Sequence, residues 1–497
     1  MRFTIADTIV ARCLGSPERA AIQVLDGSAP LSYATLLKRL AAIAAVAGRV
    51  EHGRFGPMVG LLMPNGADAA LAFAACQWAG VVAVPVNARL AEPEVEFILA
   101  NADVRLLLSA GALARRAEAL ASNAGIAFVD LDSVPAPAAV ARPVLGEREV
   151  GEDWAVIAYT SGTTGFPKGA IYTNDYFSMN NYRWGWAFGL SDDHTMLIAG
   201  PMFHLSYAGF ALAGLTVGAN VRVMPEFDPE LALEELQSRC SFAFLVPSML
   251  AMIGEVWEKR GRPPLAAARM ILSAGAPWAP SLIEKAMAMF PNAKVAEMYG
   301  WTEGAFVTFE FKDPARLVPR CVGWPALGAD VALFRADGEP SGVGEPGEIG
   351  VRSGVRFGGY LGNPEASAAA WHRGYLMSGD IGVWQADGRL CLLDRKKDMI
   401  ITGGENVYPI EVERVLIEHP AVADVAVVGL PDPLWGERLA AMVVMRAGAA
   451  VSVAELEQFC RARIAGYKIP RQFAFAGALP KTALGKIQRY KVTEALR

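Results

Sequence analysis

The sequence predicts an α/β protein: a large N-terminal domain of parallel-type sheets packed with helices, carrying a β-rich subdomain, then a small α+β C-terminal domain. Three observations predict it. Short apolar runs alternate with helical stretches between residues 33 and 299, the pattern of parallel strands joined by covering helices. Between Val331 and Val351, Asp337-Gly-Glu and Gly344-Glu-Pro-Gly347 mark tight turns between strand-like runs, which read as hairpins. At Leu390-Cys-Leu-Leu-Asp394-Arg-Lys-Lys-Asp398 an apolar strand gives way to a charged run, and a short mixture of helices and strands follows. The boundary is therefore drawn there, with residues 1–394 before it and 395–497 after it.

The elements follow in order. Tyr33 to Gly48 is rich in Ala and Leu at helical spacing, Met58 to Met63 is a strand, and Pro64-Asn-Gly66 turns into a helix from Ala67 to Trp78. Val81 to Val84, Leu106 to Ser109 and Ala127 to Asp130 are short strands, and Pro135 to Pro143 is an exposed connection. No catalytic grouping stands out in this part, which reads as scaffold. Trp154 to Ala158, Met270 to Leu272 and Lys294 to Ala296 are further apolar strands. After residue 410 the order is helix (Glu411 to Glu418), strands (Val422 to Gly429, Leu439 to Met445), helix (Val453 to Ala465) and strand (Gln472 to Phe475).

Composition excludes several classes. Lys plus Arg is 46 against 51 Asp plus Glu, a net charge of −5, without the basic excess of a nucleic-acid binder. Hydrophobic residues make up 53%, too many for a disordered chain. The six cysteines form no Cys-x-x-Cys pair, so buried free thiols in a reducing compartment are expected and a zinc site is not. The N-terminus lacks a cleavable apolar segment. The longest apolar tract, Leu71 to Val86, is broken by Gln77 and Pro85 and reads as a helix end followed by a strand, not as a membrane span. A cytoplasmic protein is expected.

The chemistry gathers around Tyr159-Thr-Ser-Gly-Thr-Thr-Gly-Phe-Pro-Lys-Gly-Ala170. Thr160, Ser161, Thr163 and Thr164 offer hydroxyls, Gly162, Gly165 and Gly169 let backbone N–H groups face an anion, and Lys168 adds a mobile charge. The physical reading is a loop that holds a polyphosphate. It is not a Walker A loop, which needs Lys followed directly by Ser or Thr. The run resembles the phosphate loop of the acyl-adenylate-forming superfamily (AMP-dependent synthetases and ligases), which holds acyl-CoA synthetases, adenylation domains of peptide synthetases and beetle luciferases.

The resemblance extends over residues 30–490, with motifs in the family's order. His204, in Gly200-Pro-Met-Phe-His204-Leu-Ser-Tyr, reads from chemistry alone as a core residue. The resemblance, in its acyl-CoA synthetase form, implies a place at the mouth of an acyl pocket. The stretch Phe203 to Ala208 holds neither acid nor Arg, so a pocket there suits an apolar acyl group, because an unpaired buried charge is costly. Tyr182, Trp184, Trp186 and Phe188 line that pocket or pack a core. Gly275, Ala276 and Pro277 are small enough for a flat ring to approach, and the family lays adenine there. In Glu297-Met-Tyr-Gly-Trp-Thr-Glu303, Tyr299 can stack on a base, Thr302 offers a hydroxyl to phosphate, and Glu303 offers a hard oxygen ligand for Mg2+. Trp301 occupies a position where smaller residues are frequent in the family.

The resemblance further implies that Asp380 and Arg395 bind ribose and that Lys397 is the hinge on which a mobile C-terminal domain turns. It implies that Gly403 and Gly404 swing toward the thiol tunnel and that Lys486 bridges the substrate carboxylate and the α-phosphate. The implied cofactors and substrates are ATP, Mg2+, CoA and a small carboxylic acid, fatty or aryl, with a homodimer left open. The alternatives are loading of a separate carrier protein and a non-catalytic acyl or nucleotide binder.

Overall fold

Met58–Leu61, Val82–Pro85 and Leu106–Ser109 bury every residue, as strands must when helices cover both faces of a parallel sheet. The structure, a computed structural model, describes residues 4–140, 154–160, 167–276, 278–354, 357–395, 398, 400–402, 405–407, 409–432, 435–464, 466–481 and 487–497. The three strands belong to a seven-stranded sheet in the order Phe357–Tyr360, Lys168–Thr173, Trp154–Thr160, Val82–Pro85, Met58–Leu61, Leu106–Ser109, Ala127–Asp130. The first two pairings are antiparallel and the rest parallel.

A second sheet has fourteen strands. Its parallel part runs Lys294–Tyr299, Met270–Ser273, Phe242–Phe244, Thr195–Ile198, Asn220–Val223, Ala20–Val24. The hairpins expected as a β-rich subdomain continue this sheet. Thr308–Phe311 adds antiparallel to Lys294–Tyr299, and Cys321–Pro325, Leu390–Arg395, Tyr375–Trp384, Gly347–Ser353 and Ala329–Phe334 follow in turn. Residues 400–476 form a separate five-stranded sheet. Its own apolar cores lie under the helices Pro409–Ile417, Val453–Arg461 and Arg489–Leu496.

Several expectations are sharpened. Ile5–Gly15 is a helix opened by a capping box between Thr4 and Asp7, a signal passed over in the sequence. Ile400–Thr402 and Glu405–Val407 pair as a hairpin before the helix at Pro409. The helix from Val453 ends at Arg461, short of Ala465. Trp184 and Phe188 belong to the core, with Trp184 stacked 4.6 Å from Phe210, whereas Trp186 is 66% exposed. No helix among the described residues is long and apolar enough to cross a membrane.

The expectation of six free thiols is corrected at one pair. Cys321 and Cys391 are register partners on antiparallel strands, their Cα atoms 3.8 Å apart, and form a disulfide. They are separated by 70 residues in sequence, and only strand pairing brings them together. Cys13, Cys76, Cys240 and Cys460 are free and buried. Burial pushes the Cys13 and Cys76 thiols up to about 12, so both stay protonated.

Candidate active site

Parallel strands all deliver their carboxyl ends to one edge, where ligands bind in open α/β sheets. Here that edge of the larger sheet carries the segments singled out in the sequence. Ser273 leads into Gly275 and Ala276, Tyr299 into Thr302 and Glu303, and Ile198 into His204. Gly275 is exposed with φ of 88°, a left-handed conformation that glycine adopts at no steric cost. His204 is the residue before the helix Leu205–Val217 and is partly exposed.

The turn after Tyr299 is tight. A Cβ on Gly300 would collide with the Ala305 carbonyl, so the position demands glycine. Ala305 donates 2.7 Å to the Trp301 carbonyl and has φ of 52°, a strained conformation for a residue with a side chain. The Trp301 indole lies flat against Gly304, where a Cβ would strike its ring.

Three tyrosines of the smaller sheet and its following helix hold this turn from across the inter-sheet gap. Tyr172, on the strand Lys168–Thr173, donates its hydroxyl to the Thr302 carbonyl. Tyr176, in the first turn of the helix Asn174–Ala187, donates to the Glu303 carbonyl. Tyr360 donates to Glu303 Oε1 at 2.8 Å. Burial pushes all three phenols above their ordinary range, with the Glu303 charge adding to the effect, so all three remain donors. Sequence reasoning missed them. No local spacing announces them: Tyr172 lies near the end of a strand and Tyr176 in the first turn of the next helix, and the strand-to-helix turn brings their rings 4.9 Å apart.

Lys168 opens its strand opposite Thr160, whose hydroxyl donates 3.4 Å to the Lys168 carbonyl. The phosphate-loop segment thus connects two antiparallel strands. Lys168 Nζ lies 5.3 Å from the Tyr360 ring centre. The structure therefore brings Lys168, Thr302 and Glu303 together. Tyr299 and Asp380 are joined directly, hydroxyl to carboxylate at 2.8 Å, and the Asp380 backbone N–H donates 2.9 Å to the Ser378 hydroxyl. Asp380 stands in register with Arg395 on the adjacent strand. Tyr299 is 8% exposed. Ser161, Gly162, Thr163, Thr164, Gly165, Pro277, Lys397, Gly403, Gly404 and Lys486 lie outside the described residues.

Behind the turn, the strand Lys294–Tyr299 is anchored by charge. Glu297 stands opposite Glu310 across the antiparallel pair, and Lys312 bridges them at 2.7 and 2.9 Å while also donating 2.7 Å to the Cys321 carbonyl. Arg389 adds a 3.0 Å contact to Glu310 and one of 2.8 Å to Asp387. Burial pushes the Glu297 carboxyl upward, and the Lys312 ammonium opposes that shift.

The donor chemistry fits a magnesium nucleotide. Glu303 Oε2 accepts no hydrogen bond among the described residues, and no cluster of three or more His, Cys, Asp or Glu could cage a metal there. Mg2+ is characteristically held by one or two carboxylates plus substrate phosphates.

A sheet edge that brings Thr302, Glu303 and a Tyr299–Asp380 pair together with Lys168 has the cation, hydroxyls and carboxylates suited to a magnesium nucleotide. The chain belongs to the AMP-binding enzyme family, in its acyl-CoA synthetase branch. It matches the model of the AMP-binding enzyme over residues 10–361 and that of the AMP-binding enzyme C-terminal domain over residues 411–486. It is 36% identical over 488 residues to a feruloyl-CoA synthase of Amycolatopsis sp, covering 97% of each chain. It is 34% identical over 452 residues to a long-chain-fatty-acid–CoA ligase of Mycobacterium tuberculosis, covering 88% of each. An amide bond synthetase from Marinactinospora thermotolerans superposes with a TM-score of 0.87 at 29% identity, covering 99% of each chain.

Proposed function

We propose that the protein is an AMP-forming carboxylic acid–CoA ligase acting on an apolar acid. The observation that carries the reading is the convergence of Lys168, Thr302 and Glu303 at the edge that also bears Tyr299 and Asp380. In the first half-reaction a carboxylate oxygen attacks the α-phosphorus of ATP, and the bond to pyrophosphate breaks. In the second the CoA sulfur attacks the acyl carbon, the bond to AMP breaks, and the thiol proton leaves to solvent.

The residues answer one electrostatic problem. The acid and the polyphosphate repel each other, so positive charge and hydrogen-bond donors must stand where charge develops. Thr160, Ser161, Gly162, Thr163, Thr164, Gly165 and Lys168 serve the phosphates, with Thr302 beside them. Mg2+ bound at Glu303 would offset phosphate charge. Tyr299, Asp380 and Arg395 orient the nucleoside against Gly275, Ala276 and Pro277. Lys486 meets the carboxylate and α-phosphate, then gives way to Gly403 and Gly404 by rotation at Lys397. Residues 395–497 act as the moving domain.

His204 stands at the acyl entrance. One turn below it, Tyr207 is 2% exposed, its ring 4.9 Å from Phe244 and its hydroxyl 3.4 Å from Met249 Sδ. A Cβ on Gly200 would strike the Tyr207 ring. That filled space favours a compact or planar acid over a long flexible chain. Action in the cytoplasm and assembly as a homodimer belong to the same proposal.

The test is pyrophosphate release from ATP and Mg2+ across aryl, alicyclic and fatty acids, with and without CoA. Turnover on compact acids that requires CoA and yields a thioester supports the reading. Turnover that ignores CoA refutes it. The likeness to an amide bond synthetase favours a second reading, in which an amine takes the adenylate. Product analysis with both acceptors separates the two. Lys486→Ala should slow pyrophosphate release by about 100-fold, the order expected for one lost preorganised contact.

A further inference from the structure

Gly358-Gly-Tyr-Leu-Gly-Asn-Pro364 carries no role in the reaction as described so far, yet its tyrosine touches two of the charged groups. We infer that Tyr360 is a positioning residue that holds Glu303 and Lys168 in a fixed relation, one carboxylate oxygen turned toward the magnesium nucleotide. The inference rests on the reading of Glu303 as the Mg2+ ligand.

The backbone that carries Tyr360 is tied down at several points. Tyr360 closes the strand Phe357–Tyr360, in register with Ala170, one residue beyond the Lys168-Gly169 pair. Its N–H donates 2.8 Å to the Ser367 hydroxyl, which itself donates 2.7 Å to the Asn363 carbonyl. Its ring packs edge-on against Phe357, centroids 5.1 Å apart at 76°. The phenol is thus a fixed reference to which mobile side chains can be set.

From that reference it makes two contacts of different kinds. The hydroxyl donates to Glu303 Oε1 at 2.8 Å, while Oε2 takes no hydrogen bond among the described residues. A neutral donor orients a carboxylate without cancelling its charge, whereas a lysine or arginine in the same place would compete with the cation. The ring face attracts the Lys168 ammonium at 5.3 Å through its quadrupole, which places the charge and leaves its N–H groups for phosphate. One side chain therefore sets the spacing between a group that binds phosphate and a group that binds the metal on that phosphate. The hydrogen-bonding partners of metal ligands are typically worth about 10- to 100-fold in affinity or activity.

The test reads ATP binding by calorimetry in the absence of acid and CoA, once with Mg2+ and once with EDTA. Tyr360→Phe keeps the ring under Lys168 and removes the hydroxyl. It should weaken ATP binding about 10-fold with Mg2+ and leave binding in EDTA unchanged. Tyr360→Leu removes both contacts and should weaken binding in both conditions. Unaltered binding of Tyr360→Phe with Mg2+, or equal loss in both conditions at unchanged thermal unfolding, overturns the inference. Glu303→Gln is the control. It should abolish the gain from Mg2+, and if the gain survives, Glu303 does not hold the metal and the inference falls with that assignment. None of these readouts depends on which acid or acceptor the enzyme uses.

Discussion

One strand and its continuing turn are anchored twice, by opposite chemistries. At Glu297, midway along Lys294–Tyr299, the anchor is ionic: Lys312 between two carboxylates, with Arg389 behind, side chains all 2–7% exposed. At Thr302 and Glu303 the anchor is neutral, three tyrosine hydroxyls on two carbonyls and one carboxylate oxygen. The ionic anchor holds charges that cancel one another away from the nucleotide. The neutral anchor fixes geometry while leaving the Glu303 charge uncancelled, as its proposed role as Mg2+ ligand requires. Stability can be built from paired charge, but a metal ligand is better placed by groups that do not neutralise it.

Three substitutions probe that contrast, in descending order of effect. Lys312→Ala removes the ammonium shared by two facing buried carboxylates, of which, among the described residues, only Glu310 keeps an ion pair, to Arg389, and should lower unfolding stability by about 3–5 kcal/mol, measured by urea denaturation. A loss no larger than that of a surface pair, under about 1 kcal/mol, would break the comparison. Tyr299→Phe removes a hydroxyl from the Asp380 carboxylate. A loss of about 1.5–3 kcal/mol is expected for a bond to a charged group, read as stability and nucleotide affinity together. Tyr176→Phe removes a single neutral bond to the Glu303 carbonyl. It should cost about 0.5–1.5 kcal/mol, with Mg2+-dependent ATP binding more affected than unfolding. If Tyr176→Phe proves as damaging as Lys312→Ala, the two anchors do not differ as described.

What the sequence made legible was local in the chain. Tyr299, Thr302 and Glu303 lie within five residues, and the apolar strand before them announces the sheet edge. The alternating strands and helices of residues 33–130 were likewise readable, because full burial leaves continuous apolar runs. The supports were not readable. Tyr172, Tyr176 and Tyr360 find their partners 130, 127 and 57 residues away, and only the pairing of Phe357–Tyr360 with Lys168–Thr173 delivers the third. Lys312 and Arg389 look like surface charges in sequence, and only strand register shows them facing Glu297 and Glu310. The Cys321–Cys391 disulfide was hidden for the same reason.

The most direct test of the central claim is a single-turnover reaction with ATP labelled at the α-phosphate, a compact aryl acid and Mg2+, first without CoA and then with it. The account predicts acyl-AMP retained by the enzyme in near-stoichiometric amount, then consumed on addition of CoA with equal yields of AMP and thioester. An adenylate that persists with CoA but is consumed by an amine, or no adenylate with any acid, would contradict it.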